Sequence, residues 1–300
     1  MLNIFNGLLT DKFREKLEQT TIWIAIISFI IHLLVIFLVN QDIIQIDSKL
    51  TKNPISAVYT PFSFILVYEV FLLVFYLPKS ISTYIGKQYE IITLIVIRRI
   101  FKDIGNLEMT SNWFTLENDL QFTYDLATAI ILFFLIQQFY RNLEKLSLST
   151  SKNKTEGQKA RIVTFIQLKK IIAKALIPVV IVLALYSFIR WIVKSSESNW
   201  NDITTFKYIN NVFFEDFFIL LIIIDVILLL FSFFYSDNFH KIIRNSGFVI
   251  STILIKLSFS VEGLVNNALI IAAVVFGYLI LLIHNLYKNT DSVKQLSSDN

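Results

Sequence analysis

VYTPFSFILVYEVFLLVFYL, residues Val58 to Leu77, is the stretch that decides the fold class of this chain. At a rise of about 1.5 Å per residue, a helix of that length matches a bilayer hydrocarbon core of roughly 30 Å. One charge interrupts it, the carboxylate of Glu69 near its middle. A charge at that depth costs several kcal/mol unless it faces a partner or water, so an intramembrane acid points to function. A second apolar run begins at Ile91 and is broken by Arg98 and Arg99.

The rest of the composition agrees with a membrane setting. Of 300 residues, 55% are hydrophobic and only 17% charged, and mean hydropathy is +0.63. That is too apolar for an ordinary soluble domain. Strand-like alternation with polar residues is absent, which excludes an outer-membrane barrel. No stretch remains for a separate soluble domain. The chain has no Cys, so disulfides, thiolate metal sites and thiol nucleophiles are excluded. The seven glycines form neither GxGxxG nor a P-loop, and HExxH, GxSxG and His-rich metal patterns are missing. No cofactor, metal site or catalytic residue is therefore expected, and the chain does not read as an enzyme. The net charge of +4 is the ordinary consequence of basic cytoplasmic loops and does not point to nucleic acid. A cleavable signal peptide is not expected, because Asp11, Glu15 and Glu18 interrupt the first twenty residues.

Taken in order, residues 1–20 predict an amphipathic interfacial helix, with Phe5, Leu9, Phe13 and Leu17 on one side. A first span follows from Ile22 to Val39, with His32 near its centre, and Val58 to Leu77 is the second. Tyr84 to Leu107 reads locally as a surface helix with Lys87, Arg98, Arg99 and Lys102 on a polar side. The positive-inside rule argues that it crosses. Arg141 to Lys174 holds nine basic residues against Glu144 and Glu156, the strongest cytoplasmic mark in the chain. Glu108 to Asp125 has no Lys or Arg and reads as external. Further spans are Leu120 to Tyr140, Ile171 to Val193, Phe213 to Tyr235, Gly247 to Val261 and Gly263 to Leu286. The expectation is an all-α polytopic protein of the cell inner membrane, with eight spans and both termini cytoplasmic. Residues 1–146 and 171–288 form two four-helix halves, joined by a basic linker at 147–170, with a disordered tail at 289–300.

The halves also resemble each other. FILVYEVFLLVF (Phe64–Phe75) aligns with LLIIIDVILLLF (Leu220–Phe231), and IITLIVIRRIFKDIG (Ile91–Gly105) with VISTILIKLSFSVEG (Val249–Gly263). Glu69 falls on Asp225, Thr93 on Ser251, and Arg98 on Lys256, with offsets differing by two residues. Even-numbered units predict parallel repeats about an axis along the membrane normal. Each half would pair an acid on its second helix (Glu69, Asp225) with a base on its third (Arg98 or Arg99, Lys256). Such pairs either lock helix register or line a polar pathway. His32 would join the pathway if it stood beside Glu69 and shared a proton with it; otherwise it is a hydrogen-bonded packing residue. His240 and His284 stand alone in the sequence near span ends. Asp119, Asp125, Glu215 and Asp216 read as acids at external helix ends, solvated there or drawing cations to an outer mouth.

Residues 64–93, an acid mid-helix, an aromatic end, a short basic turn and then a second acid, resemble the second-to-third helix region of voltage-sensor domains of ion channels. Glu69 matches the first acid and Glu90 the second. The resemblance implies a four-helix unit that starts and ends inside. Leu120 to Tyr140 carries none of the regularly spaced Arg or Lys of a sensor helix, and no selectivity-filter sequence follows.

The function expected is conduction or transport of a small ion, a cation or a proton, with Glu69, Arg98, Arg99, Asp225, Lys256 and His32 lining or gating a midplane cavity. The alternative is a non-transporting scaffold in the lipid bilayer. It would dock a protein partner, or anionic lipid headgroups, through Arg141 to Lys174.

Overall fold

The structure, a computed structural model, describes residues 7–44, 54–104, 117–149, 156–197, 204–235 and 239–298. Helix is the only regular structure among them. The helices are α1 (Asp11–Asn40), a 3-10 turn (Pro54–Val58), α2 (Tyr59–Tyr76), α3 (Ile81–Ile104), α4 (Glu117–Ser149), α5 (Glu156–Glu197), α6 (Thr204–Tyr235), α7 (Phe239–Ser258) and α8 (Gly263–Ser298). Four stretches are long and apolar enough to cross a membrane: Asp11–Asn40, Asp119–Glu144, Phe217–Phe234 and Gly263–Lys288. Thr60–Tyr76 is also apolar but shorter.

Local chemistry sets the helix ends. The Thr10 hydroxyl accepts from the Phe13 N–H at 3.3 Å and caps α1, which then runs unbroken through the residues expected to lie on the surface. No Gly or Pro interrupts Asp11 to Asn40, and its 30 residues reach about 45 Å, longer than a hydrocarbon core. Pro61 sits in the first turn of α2, where its missing N–H costs nothing, and Pro78 follows its end. Ser80 then caps α3, its Oγ accepting from the Thr83 N–H at 3.1 Å. Between α7 and α8 the chain reverses through Ser260 N–H to Leu257 O (3.1 Å) and Val261 N–H to Ser258 O (3.3 Å). Gly263 has φ 69°, a conformation that favours glycine. Asn266 closes the same turn by donating to the Ser258 carbonyl at 2.5 Å.

Helix continues through two segments that flank the expected spans. Most of the basic linker is helical, since α4 continues to Ser149 and α5 begins at Glu156. The segment expected to be a disordered tail is helical to Ser298, and it contains no Gly or Pro that would stop α8. The external stretch 105–116, the loop residues Asp47, Lys49, Lys52 and Asp202, and the side chains of Glu117, Lys145, Lys159, Arg161, Glu197, Lys207, Glu215 and Asp216 lie outside the described residues. So do Lys152 and Lys154.

Contacts divide the chain into two compact units, each assembled from three stretches. The first comprises Met1–Phe75, Leu94–Leu126 and Ala173–Phe217. Its core holds Ile36, Val70, Leu73, Val74, Val96 and Ile100, with Phe62 stacked on Phe101 at 4.9 Å. α1 buries only Ala25 and Ile36 and exposes Trp23, Ile27, Ile30, Ile31, Leu34 and Phe37. An apolar surface of that extent suits hydrocarbon and not water.

The second unit comprises Tyr76–Thr93, Ala127–Ile172 and Phe218–Asn300. Tyr89 meets Phe139 edge-on at 5.3 Å, and Phe139 meets Phe248 at 6.1 Å. α7 and α8 pack closely because small residues let side chains approach. A Cβ on Gly247 would stand 2.7 Å from Ile280, and one on Gly277 would stand 3.2 Å from Ser251 of α7 and only 1.7 Å from the Tyr89 hydroxyl of α3. Along all of α3, Leu94 is the one exposed side chain among the described residues. A helix lying on a membrane surface would expose a whole face; α3 is enclosed by protein.

Candidate functional site

The polar residues of the second unit converge on Asp225, which α6 carries near the middle of its apolar stretch and which is 5% exposed. Gln88 of α3 donates from Nε2 to Asp225 Oδ2 at 3.2 Å. The Thr252 hydroxyl of α7 donates to Gln88 Oε1 at 2.8 Å. The ionised carboxylate, which can only accept, fixes the amide with Nε2 toward Asp225, and Oε1 is left to accept from Thr252. Tyr84, one turn before Gln88, faces the same carboxylate without closing a hydrogen bond of good geometry. The Asp225 site is therefore built by α3, α6 and α7 together.

Lys169 of α5 supplies the nearest charge. It is 2% exposed, donates to the Lys79 carbonyl at 2.9 Å, and acts electrostatically on Asp225 without a direct ion pair. Burial pushes its ammonium down from the usual 10.5 to about 8, against the opposing pull of Asp225, and Arg244 adds repulsion. A cavity of about 20 Å³ lies among Tyr84, Ile85, Lys169, Asp225, Asn245 and Phe248. That is space for a single water.

Around this centre the polar contacts continue. The Tyr89 hydroxyl and Ser251 Oγ are 2.8 Å apart, and Ser251 donates to the Ala273 carbonyl of α8 at 2.7 Å. Glu90 accepts from Lys87 at 2.6 Å and from the Tyr140 hydroxyl of α4 at 2.5 Å. His240 and His284, which stand alone in the sequence, are stacked at 5.1 Å. His284 Nε2 lies 3.2 Å from Arg244 Nη1, a donor, and its Nδ1 lies 3.2 Å from the His240 carbonyl, an acceptor. Those neighbours select the neutral imidazole with its proton on Nδ1. Burial also lowers Arg244 to about 10, which leaves it charged at neutral pH.

In the first unit Glu69 of α2 is 4% exposed, and Arg98 of α3 is its electrostatic partner, the pairing the sequence suggests. Arg99 turns to Asp125 of α4 in a two-pronged contact, Nε to Oδ2 and Nη2 to Oδ1, the latter at 2.6 Å. Gln121 adds a bond to Oδ1 at 2.8 Å, and Asp125 is fully buried. Asp125 is thus a paired interior acid and not a solvated helix end. His32 Nδ1 meets the Thr60 hydroxyl at 2.5 Å, a packing contact between α1 and α2.

Of the residues singled out from sequence, then, Arg98 stands within electrostatic reach of Glu69. Arg99 and His32 find other partners. The cation acting on Asp225 is Lys169 and not Lys256, which occupies the last turn of α7, where a cation complements the helix dipole. No protein-family profile, curated protein or solved structure matches this chain. Among the described residues no group of three or more His, Cys, Asp or Glu is arranged to hold a metal ion. Tyr84, Gln88, Lys169 and Thr252 complete the Asp225 site and were not legible as site residues in the sequence.

Proposed function

We propose that this protein moves a small cation across a membrane, the proton above all, with Asp225 as the central carrier. One observation carries the reading: an acid buried in the middle of an apolar helix borders a small cavity that Tyr84, Lys169 and Asn245 line together with apolar side chains, and it accepts a hydrogen bond from another helix. The cavity favours the proton, since a bare metal cation needs several oxygen ligands and the lining offers one carboxylate. Glu69 with Arg98 is the counterpart on the other repeat. Both acids are buried, and both Thr93 and Ser251, aligned in the two halves, turn their hydroxyls to backbone carbonyls. We read the chain as eight spans in two parallel repeats of an inner membrane, with both termini cytoplasmic and α3 crossing within the bundle.

Reconstituted vesicles test this. Asp225→Asn is expected to reduce proton flux on the order of a hundredfold, the low end of what a positioned proton-transfer group contributes. Native protein that moves no ion under any gradient, or flux indifferent to both Asp225→Asn and Glu69→Gln, sinks the proposal. The second reading, a scaffold, is favoured by the helical extensions of α4 and α5, whose Arg141 and Lys170 are exposed. It requires a partner or anionic lipid that is lost when those two residues and Lys174 are neutralised.

A further inference from the structure

The cavity beside Asp225 brings together three polar groups whose hydrogen-bonding capacity is not used up. The Tyr84 hydroxyl is fully enclosed, 2% exposed as a residue, and although it stands within reach of Asp225 and Gln88 it closes no hydrogen bond of good geometry with either. An orphaned phenol in an apolar interior costs about 1–3 kcal/mol, so such a group normally has a water. Lys169 spends one of its three N–H donors on the Lys79 carbonyl. Asp225 accepts from Gln88 at one oxygen and keeps further acceptor positions. The cavity they line, about 20 Å³, fits one water, and three partners match the number that an internal water ordinarily has.

We propose that one ordered water joins the Tyr84 hydroxyl, the Lys169 amine and the Asp225 carboxyl, and that a proton passes between Lys169 and Asp225 through it. Its place in transport rests on the function proposed above; the water-bridged pair itself does not. In the transfer a Lys169 N–H bond breaks and its proton joins the water oxygen. One of the water's own protons then bonds to an Asp225 oxygen. Ammonium and carboxylate become amine and carboxylic acid, the water is regenerated, and the net charge of the pair stays zero.

The surroundings act on the two partners in opposite senses. The Gln88 amide, held by Thr252, donates to the carboxylate from α3, while Arg244 on α7 disfavours the ammonium. Lys169, at about 8, releases a proton at little cost near neutral pH. Its anchor, the Lys79 carbonyl, lies in the turn between α2 and α3, so Lys169 joins the cavity to that end of the helices.

The test is pH-resolved infrared difference spectroscopy on the full chain in lipid, in ordinary and oxygen-18 water. The expected result is a protonated-carboxyl band that vanishes in Asp225→Asn. Its midpoint should rise by about one pH unit or more in Lys169→Met, which removes the cation. An oxygen-18-sensitive water band should be lost in Tyr84→Phe. A midpoint unmoved in folded Lys169→Met, or a water band that survives in Tyr84→Phe, overturns the proposal. If Lys169→Met does not fold, the Tyr84→Phe arm decides, because it removes a single oxygen. These bands in a protein without proton flux uphold the bridge and defeat transport. Flux with bands indifferent to both substitutions does the reverse.

Discussion

Lys169 shows how one residue's environment becomes a measurable property. Burial depresses its proton affinity below the unfolded value, so between about 8 and 10.5 the unfolded chain holds more protons than the folded one. Stability should therefore rise with pH through that window, and the cost of burying the ammonium is present in full below it. Thermal unfolding of the solubilised protein should show this slope, and Lys169→Met should flatten it. Asp125 is the complementary case, a fully buried acid whose loss strands Arg99. Asp125→Ala is expected to cost about 3–5 kcal/mol, and the double variant Asp125→Leu with Arg99→Met to recover most of it. Denaturation midpoints of the three variants decide; equal losses in single and double variants count against a coupled pair. Neither residue stood out in the sequence. Lys169 is one of nine basic residues between Arg141 and Lys174, and Asp125 looks like an ordinary first-turn acid. Glu69 and Asp225 were legible because charge inside an apolar run is expensive wherever the helix sits, whereas their partners depend on which helices meet.

At the scale of elements, α3 separates what pattern reveals from what packing adds. Its alternation of polar and apolar residues suits a surface helix and an enclosed one equally, since both carry Lys87, Glu90, Arg98 and Arg99. Burial distinguishes them, and burial is made by partners far away in the chain. The same holds for the contact between α3 and α8. Gly277 is the point where the Tyr89 hydroxyl passes the α8 backbone, and nothing in the sequence flags that glycine over the others. Gly277→Ala would place a methyl 1.7 Å from the hydroxyl, closer than any real contact, so either the buried Tyr89 side chain or the helices must shift. The expected loss is about 1–3 kcal/mol, as for other overpacked cores. Tyr89→Phe in the same chain should restore part of it by removing the oxygen. Thermal melts that leave Gly277→Ala unchanged would contradict this crossing.

For the whole molecule, an all-helical membrane protein follows from the hydropathy of the chain, and the structure bears it out with four stretches of full spanning length. The shorter and more charged helices are where length and composition stop discriminating, because polar residues facing protein lower the hydropathy of a helix without exposing it to lipid. Placing α3 across the bilayer therefore needs an outside reference. A reporter fused at Thr110 should register on the external side if α3 crosses. A cytoplasmic signal there would remove a span and with it the paired repeats.

The enclosed α3 also sets a problem of timing during synthesis. Gln88 bonds to residues 137 and 164 positions later, and Tyr89 to one 162 positions later. At translation rates of about 5–20 residues per second, those partners emerge roughly ten to thirty seconds after α3 itself. Through that interval the Gln88 amide and the Tyr89 phenol lack the partners they bond on α6 and α7, and bare lipid is a poor refuge for them. α3 must wait in water, in the insertion machinery or against a chaperoning helix, and take its seat only when α6 and α7 arrive.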